Sequence, residues 1–167
     1  MPIVKDQTLR LLSFNIQVGI GAYRLRHYIT HSWRHVLPHT KSLDNLDLIA
    51  YLVQDFDLVA LQEVDAGSLR SSFVNQIEYL AMRGHFPYWC HQTNRKLGKF
   101  AQASNGLLSK YPFTEIQAYK LPGRIPGRGA LMVHYGRPDK PLVLFILHLA
   151  LSRRARMMQL GFLRDIV

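Results

Sequence analysis

Asp57-Leu58-Val59-Ala60-Leu61-Gln62-Glu63-Val64 decides the fold. Four apolar residues follow one another without alternation, and the run then turns polar at Gln62-Glu63. A short unbroken apolar run of this kind reads as a strand over Asp57 to Gln62, covered on both faces inside an α/β sheet. Just upstream, Leu43 to Gln54 places Leu46, Ile49, Ala50 and Val53 on one helical face. Asp44 and Asp47 lie in its first turn, where carboxylates suit the helix dipole. Further upstream, Leu9 to Ile16 reads as a second buried strand. Downstream, Leu69 to Arg83 repeats the helical spacing through Leu69, Phe73, Ile77 and Leu80, and Gly84 is a natural stop.

The second half is richer in strands. Tyr88 to Gln92, Ser104 to Ser109, Thr114 to Lys120, Arg128 to Tyr135 and Leu142 to His148 are separated by turn signals such as Lys110-Tyr111-Pro112 and Pro122-Gly123. Arg153 to Val167 is helical again, with Ala155, Met158, Phe162 and Ile166 along one face. The expected class is therefore α/β, with mixed sheets and helices packed outside them. Residues 1–167 read as a single domain. A helix with no strand after it leaves such a layer half covered, so the domain is expected to be incomplete at its C-terminal side.

The chain has 167 residues, nearly half of them hydrophobic, and a formal net charge of +10. That apolar content is enough for a sizeable core and argues against disorder. The charge favours anionic partners: nucleic acid, phospholipid headgroups or phosphorylated small molecules. No apolar run approaches the roughly 20 residues a membrane span needs. Met1 to Asp6 lacks the apolar core and cleavage site of a secretory signal. A single cysteine, Cys90, excludes an internal disulfide and a multi-cysteine zinc site. A cytoplasmic location is expected.

Three polar residues stand at the ends of apolar strands: Asn15, Glu63 and His148. Ligands in α/β sheets gather outside the carboxyl ends of strands. A carboxylate and a carboxamide there can hold a hard cation, because magnesium keeps several waters and needs only one or two protein carboxylates. A histidine there can bond a phosphate oxygen or move a proton. The rival reading is that Asn15 and Glu63 merely cap strand ends by bonding backbone groups and that His148 is a satisfied structural histidine.

Taken in order, strand-Asn15, Gln62-Glu63-Val64, Ser104 to Pro112, Gly127-Arg128-Gly129-Ala130 and strand-His148-Leu149 resemble the endonuclease/exonuclease/phosphatase superfamily, whose deoxyribonuclease I-like members cleave phosphoesters. The resemblance covers nearly the whole chain. It implies part of a four-layer α/β sandwich with two mixed sheets facing each other and helices outside, the C-terminal part missing. It implies a divalent-metal-dependent phosphoester hydrolase using Mg2+, or Mn2+ in its place. Glu63 matches the metal-binding glutamate, and Asn15 the amide that helps organise metal and phosphate. His148 matches the group that contacts the phosphate or assists the leaving group. Asn105 is mainly architectural in this comparison, with a place facing the substrate as the alternative. The family's Gly-Asp-x-Asn segment and later Asp-His pair have no counterpart before Val167, so the chain alone is expected to be inactive.

Residues 19–38 are the most individual part, with Tyr23, Arg24, Arg26, Tyr28, Trp33 and Arg34. Arg24 and Arg26, with Arg128 in Gly123 to Arg128, are candidate phosphate contacts. The aromatic rings suit stacking on bases or a membrane interface, or else pack on the core. His27, His31, His35 and His39 recur at four-residue spacing, but successive steps drift around a helix and no acid accompanies them. The expected partners are a phosphorylated substrate, nucleic acid or anionic phospholipid, and no obligate protein partner is indicated. The rival to the hydrolase is a non-catalytic basic module that binds nucleic acid or anionic lipid.

Overall fold

The computed structural model describes residues 8–16, 41–67, 71, 73–97, 101–123, 127–137 and 139–166. The elements run β1 (Leu11–Asn15), α1 (Lys41–Val53), β2 (Leu58–Val64), α2 (Gln76–Arg83), β3 (Tyr88–Leu97), β4 (Ala101–Ser109), β5 (Glu115–Lys120), β6 (Gly129–Arg137), β7 (Lys140–Leu147) and α3 (Arg153–Asp165). The first sheet has the order β1-β2-β4-β3 and the second β5-β6-β7. β1 and β2 are parallel, with Leu11 opposite Leu58 and Asn15 opposite Gln62. The other strand pairs are antiparallel.

The unbroken apolar run of β2 has the expected cause. Leu58 and Ala60 point into a core shared with Leu107 of β4, Leu131, Val133 and Tyr135 of β6, and Ile146 of β7. Val59 and Leu61 point the other way, onto Leu46, Ala50 and Val53 of α1 and Ile77 and Leu80 of α2. Each of these buried leucines contributes about 1.5–3 kcal/mol. Beyond the second sheet, Leu163 of α3 packs with Leu121 and Ala130, beside Tyr119, Phe145 and Phe162. The packing order is thus α1 and α2, first sheet, second sheet, α3. Among the described residues no helix is long and apolar enough to cross a membrane.

Five expectations are corrected. β1 is an edge strand with β2 as its neighbour, so Leu11 and Phe14 are exposed rather than buried. The second helix begins at Gln76, not Leu69, because Asn75 caps it by accepting from the N–H groups of Ile77 (3.2 Å) and Glu78 (3.4 Å). Phe73, expected on its apolar stripe, lies before the cap at φ 63 and is exposed. On α3 the inward line is Gln159 and Leu163, so Met158 faces outward. β3 and β4 also run further than their apolar cores, through Asn94, Arg95 and Gln102, because each strand supplies the other's ladder partners regardless of side-chain polarity.

Candidate active site

Glu63 sits where the β2–β4 register shifts, between Leu61 and Val64, and its backbone is left-handed at φ 58. A residue with a Cβ pays about 1–2 kcal/mol for that conformation. The surrounding backbone enforces it. Asp65, fully buried, accepts from the Gly67 N–H (3.0 Å) and the Ser71 hydroxyl (3.1 Å). Its own N–H donates to Gln76 Oε1 at 2.9 Å, and the Gln76 N–H donates back to the Asp65 carbonyl at 2.9 Å. The bend this network stabilises aims the Glu63 carboxylate across to the second sheet. Phe73 and His85 share this conformation at φ 63 and 59, so at Glu63 it is the carboxylate's contact with the second sheet, not the strain alone, that points to function.

Asn15 ends β1 directly opposite Gln62, and the Ile16 N–H donates to the Gln62 carbonyl at 3.1 Å. Its carboxamide and the Glu63 carboxylate therefore belong to adjacent parallel strand ends. His148 follows β7 immediately, and its Nε2 lies 3.5 Å from Glu63 Oε1. The two side chains are 26% and 29% exposed, half sheltered yet open to a ligand. Burial, then the charge of Arg128, hold the His148 imidazole below its ordinary pKa, and Glu63 partly opposes them. The structure thus brings Glu63 and His148 into contact, with Arg128 close enough to be felt and Asn15 on the neighbouring strand end.

Asn105 is fully buried between the sheets. Its Nδ2 donates to the carbonyls of Gly129 (3.0 Å) and Ile146 (3.3 Å), joining β4 to the start of β6 and the end of β7. Gln92 of β3 adds a parallel tie, donating to the Tyr119 carbonyl at 2.8 Å. Gly129 leaves room for the ends of two side chains of β3. A Cβ on it would run into Asn94 Oδ1 and lie 2.8 Å from Gln92 Oε1. These ties fix Arg128 and His148, one residue before β6 and one after β7, relative to Glu63. Arg24, Arg26 and the His27 to His39 series lie outside the described residues.

Sequence reasoning passed over Asp65, Gln76 and Gln159. Gln159 is buried, accepts from the Ala150 N–H (2.9 Å) and donates to the Pro122 carbonyl (3.1 Å). It clamps the segment after His148 to the turn that leads to Arg128. Arg156 donates to the carbonyls of Ala150 and Leu151. The available signal was a glutamine beside each helix's apolar stripe, at Gln76 and Gln159.

Among the described residues no three His, Cys, Asp or Glu side chains gather as a metal-binding group. The donors present, one carboxylate and one carboxamide at adjacent strand ends, suit a hard cation that keeps most of its waters.

The sequence pattern of the Endonuclease/Exonuclease/phosphatase family matches residues 12–165. No curated protein matches the chain. Among solved structures, an endonuclease/exonuclease/phosphatase from Beutenbergia cavernae DSM 12333 superposes with a TM-score of 0.67 at 19% identity, over 95% of this chain and 44% of that one. An endonuclease/exonuclease/phosphatase family protein from Leptotrichia buccalis C-1013-b gives 0.69 at 10% identity, over 96% and 63%. A mannosyl-6-phosphatase from Bacteroides thetaiotaomicron VPI-5482 gives 0.58 at 15% identity, over 95% and 58%. The chain spans 44% to 63% of the lengths of these structures.

Proposed function

Because the chain belongs to the endonuclease/exonuclease/phosphatase family, we propose that it carries the Glu63 side of a divalent-metal-dependent phosphoester hydrolase. The observation that carries this reading is the meeting of Glu63 and His148 at 3.5 Å, one from each sheet.

Glu63 and Asn15 would hold the ion, Mg2+ or Mn2+, which when bound supplies Lewis-acid polarisation of a phosphoryl oxygen. The chain's own groups have separate tasks. His148, kept neutral by burial and by Arg128, offers Nε2 as an acceptor for a proton or, once protonated, a donor to a non-bridging oxygen. Arg128 would pair with phosphate oxygens. Asn105 and Gln159 keep His148 and Arg128 in place through the backbone. The group that activates water is not identified among the described residues, so the chain alone is expected to bind rather than turn over. The mannosyl-6-phosphatase neighbour is a precedent for phosphomonoester chemistry on this fold. The substrate class is a phosphoester, and the choice among phosphoesters is set by site and loops rather than by fold.

The test is a Mg2+ or Mn2+ titration of the isotopically labelled chain followed by amide shifts. The largest changes are expected at Asn15, Glu63 and Val64, and Glu63→Ala should abolish them. Changes centred elsewhere, or unaltered by Glu63→Ala, would sink the metal site and favour the non-catalytic basic module.

A further inference from the structure

The outer face of α3 has no role in the site. Its inner line, Gln159 and Leu163, faces the second sheet. Opposite it, Arg153, Met157, Leu160 and Arg164 recur at helical spacing, flanked by Arg154 and Met158. Met157 is 59% exposed, and Leu151, just before the Ser152 cap, is 88% exposed.

Leu151 is not a loose loop residue. Arg156 donates to its carbonyl, and the Ser152 hydroxyl caps the helix by accepting from Ala155 N–H at 3.3 Å. An apolar side chain is thus held out into solvent on an ordered backbone. At Gly161, a Cβ would meet nothing within 4 Å. Packing therefore does not demand this glycine, and the helix is flat at that point.

We propose that this face docks on an anionic lipid surface. The charge is complementary: Arg153, Arg154 and Arg164 project outward, and the helix's one acid, Asp165, is paired with Arg164 at 2.9 Å. The chain as a whole carries +10. The aliphatic groups decide between anionic partners. Nucleic acid is gripped by cations and stacked on aromatic rings. The one aromatic of α3, Phe162, is turned inward, edge-on to Tyr119. Exposed Leu and Met ringed by arginine instead suit insertion among headgroups, with the arginines reaching the phosphates. Leu151 lies three residues past His148, so a docked helix brings the catalytic edge near the lipid surface. The proposal stands whether or not the chain is a hydrolase.

The experiment is co-sedimentation of the chain with phosphatidylcholine vesicles containing increasing phosphatidylserine, at two salt concentrations. Binding is expected to rise with phosphatidylserine and fall with salt. Reversing Arg153 or Arg154 to Glu should weaken it about fivefold or more each, and Leu151→Asp with Met157→Asp at least about tenfold. Leu48→Asp, an exposed apolar site on α1, is the control for general stickiness and should leave binding unchanged. Equal binding to pure phosphatidylcholine, no binding at all, or insensitivity to the α3 variants would each overturn the proposal. So would a dimer dissolved by Met157→Asp, or duplex DNA binding lost in the arginine variants while vesicle binding persists.

Discussion

Replacing Glu63 by glycine and, separately, by alanine measures the strain at the centre of the site. Both variants lose the carboxylate and its 3.5 Å contact with His148, so that loss cancels in the comparison. What remains is the backbone at φ 58. Alanine keeps the Cβ that makes this conformation cost about 1–2 kcal/mol, and glycine does not. Glycine in turn gives the unfolded chain extra freedom worth about 0.4–1 kcal/mol. The glycine variant should therefore be more stable than the alanine variant by about 0.5–1 kcal/mol. In ordinary strand backbone the order is reversed by a similar amount. Urea denaturation at neutral pH, with m-values checked for equality, reads the difference directly. An alanine variant as stable as the glycine variant, or more so, would refute stored strain at Glu63 and leave the contact with His148 as the structural support for its role.

Asn105→Ala removes its two bonds to second-sheet carbonyls; it should cost about 1–3 kcal/mol in urea denaturation, and a cost under about 1 kcal/mol would show that the sheets are held elsewhere. For His148 the folded pKa lies below the unfolded one, so its contribution to stability is complete above the unfolded pKa of about 6.5 and is lost as pH falls through the folded value. In an NMR titration of the ring, Arg128→Ala should raise the pKa and Glu63→Gln should lower it further; shifts of opposite sign would exclude the arrangement described. Gly161→Ala should stabilise the chain by about 0.5–1 kcal/mol in thermal unfolding, since nothing occupies the space beside it.

Much of the fold was legible because burial leaves a periodic trace. Leu58 to Leu61 are apolar on both faces because helices lie on one side and a second sheet on the other, and the sequence says so without ambiguity. The strand-end positions of Glu63 and His148 were legible for the same reason: a polar residue stops the run. The start of α2 was not legible. Phe73 and Leu69 fit a helical stripe, and the decisive fact is a tertiary capture, Asp65 by Ser71, Gly67 and Gln76, which no local pattern reports. The burial of β1 was misjudged because edge and centre strands share the same apolar spelling. Gln159 was missed because a glutamine bonded to two backbone groups looks, in sequence, like a surface residue.

The meeting of Glu63 with His148 also has a kinetic consequence. The ladders of β3 with β4, and of β5 through β7, join neighbours in sequence and close short loops. The carboxylate and imidazole are far apart along the chain and touch only after the two sheets have docked. Non-local contacts of this sort form late, because their loop-closure entropy has to be met first. A compact acid state that kept its hairpins would retain strand content yet have no assembled site. Ligands of the site would then select the fully docked molecule alone, raising the unfolding barrier without accelerating the early collapse.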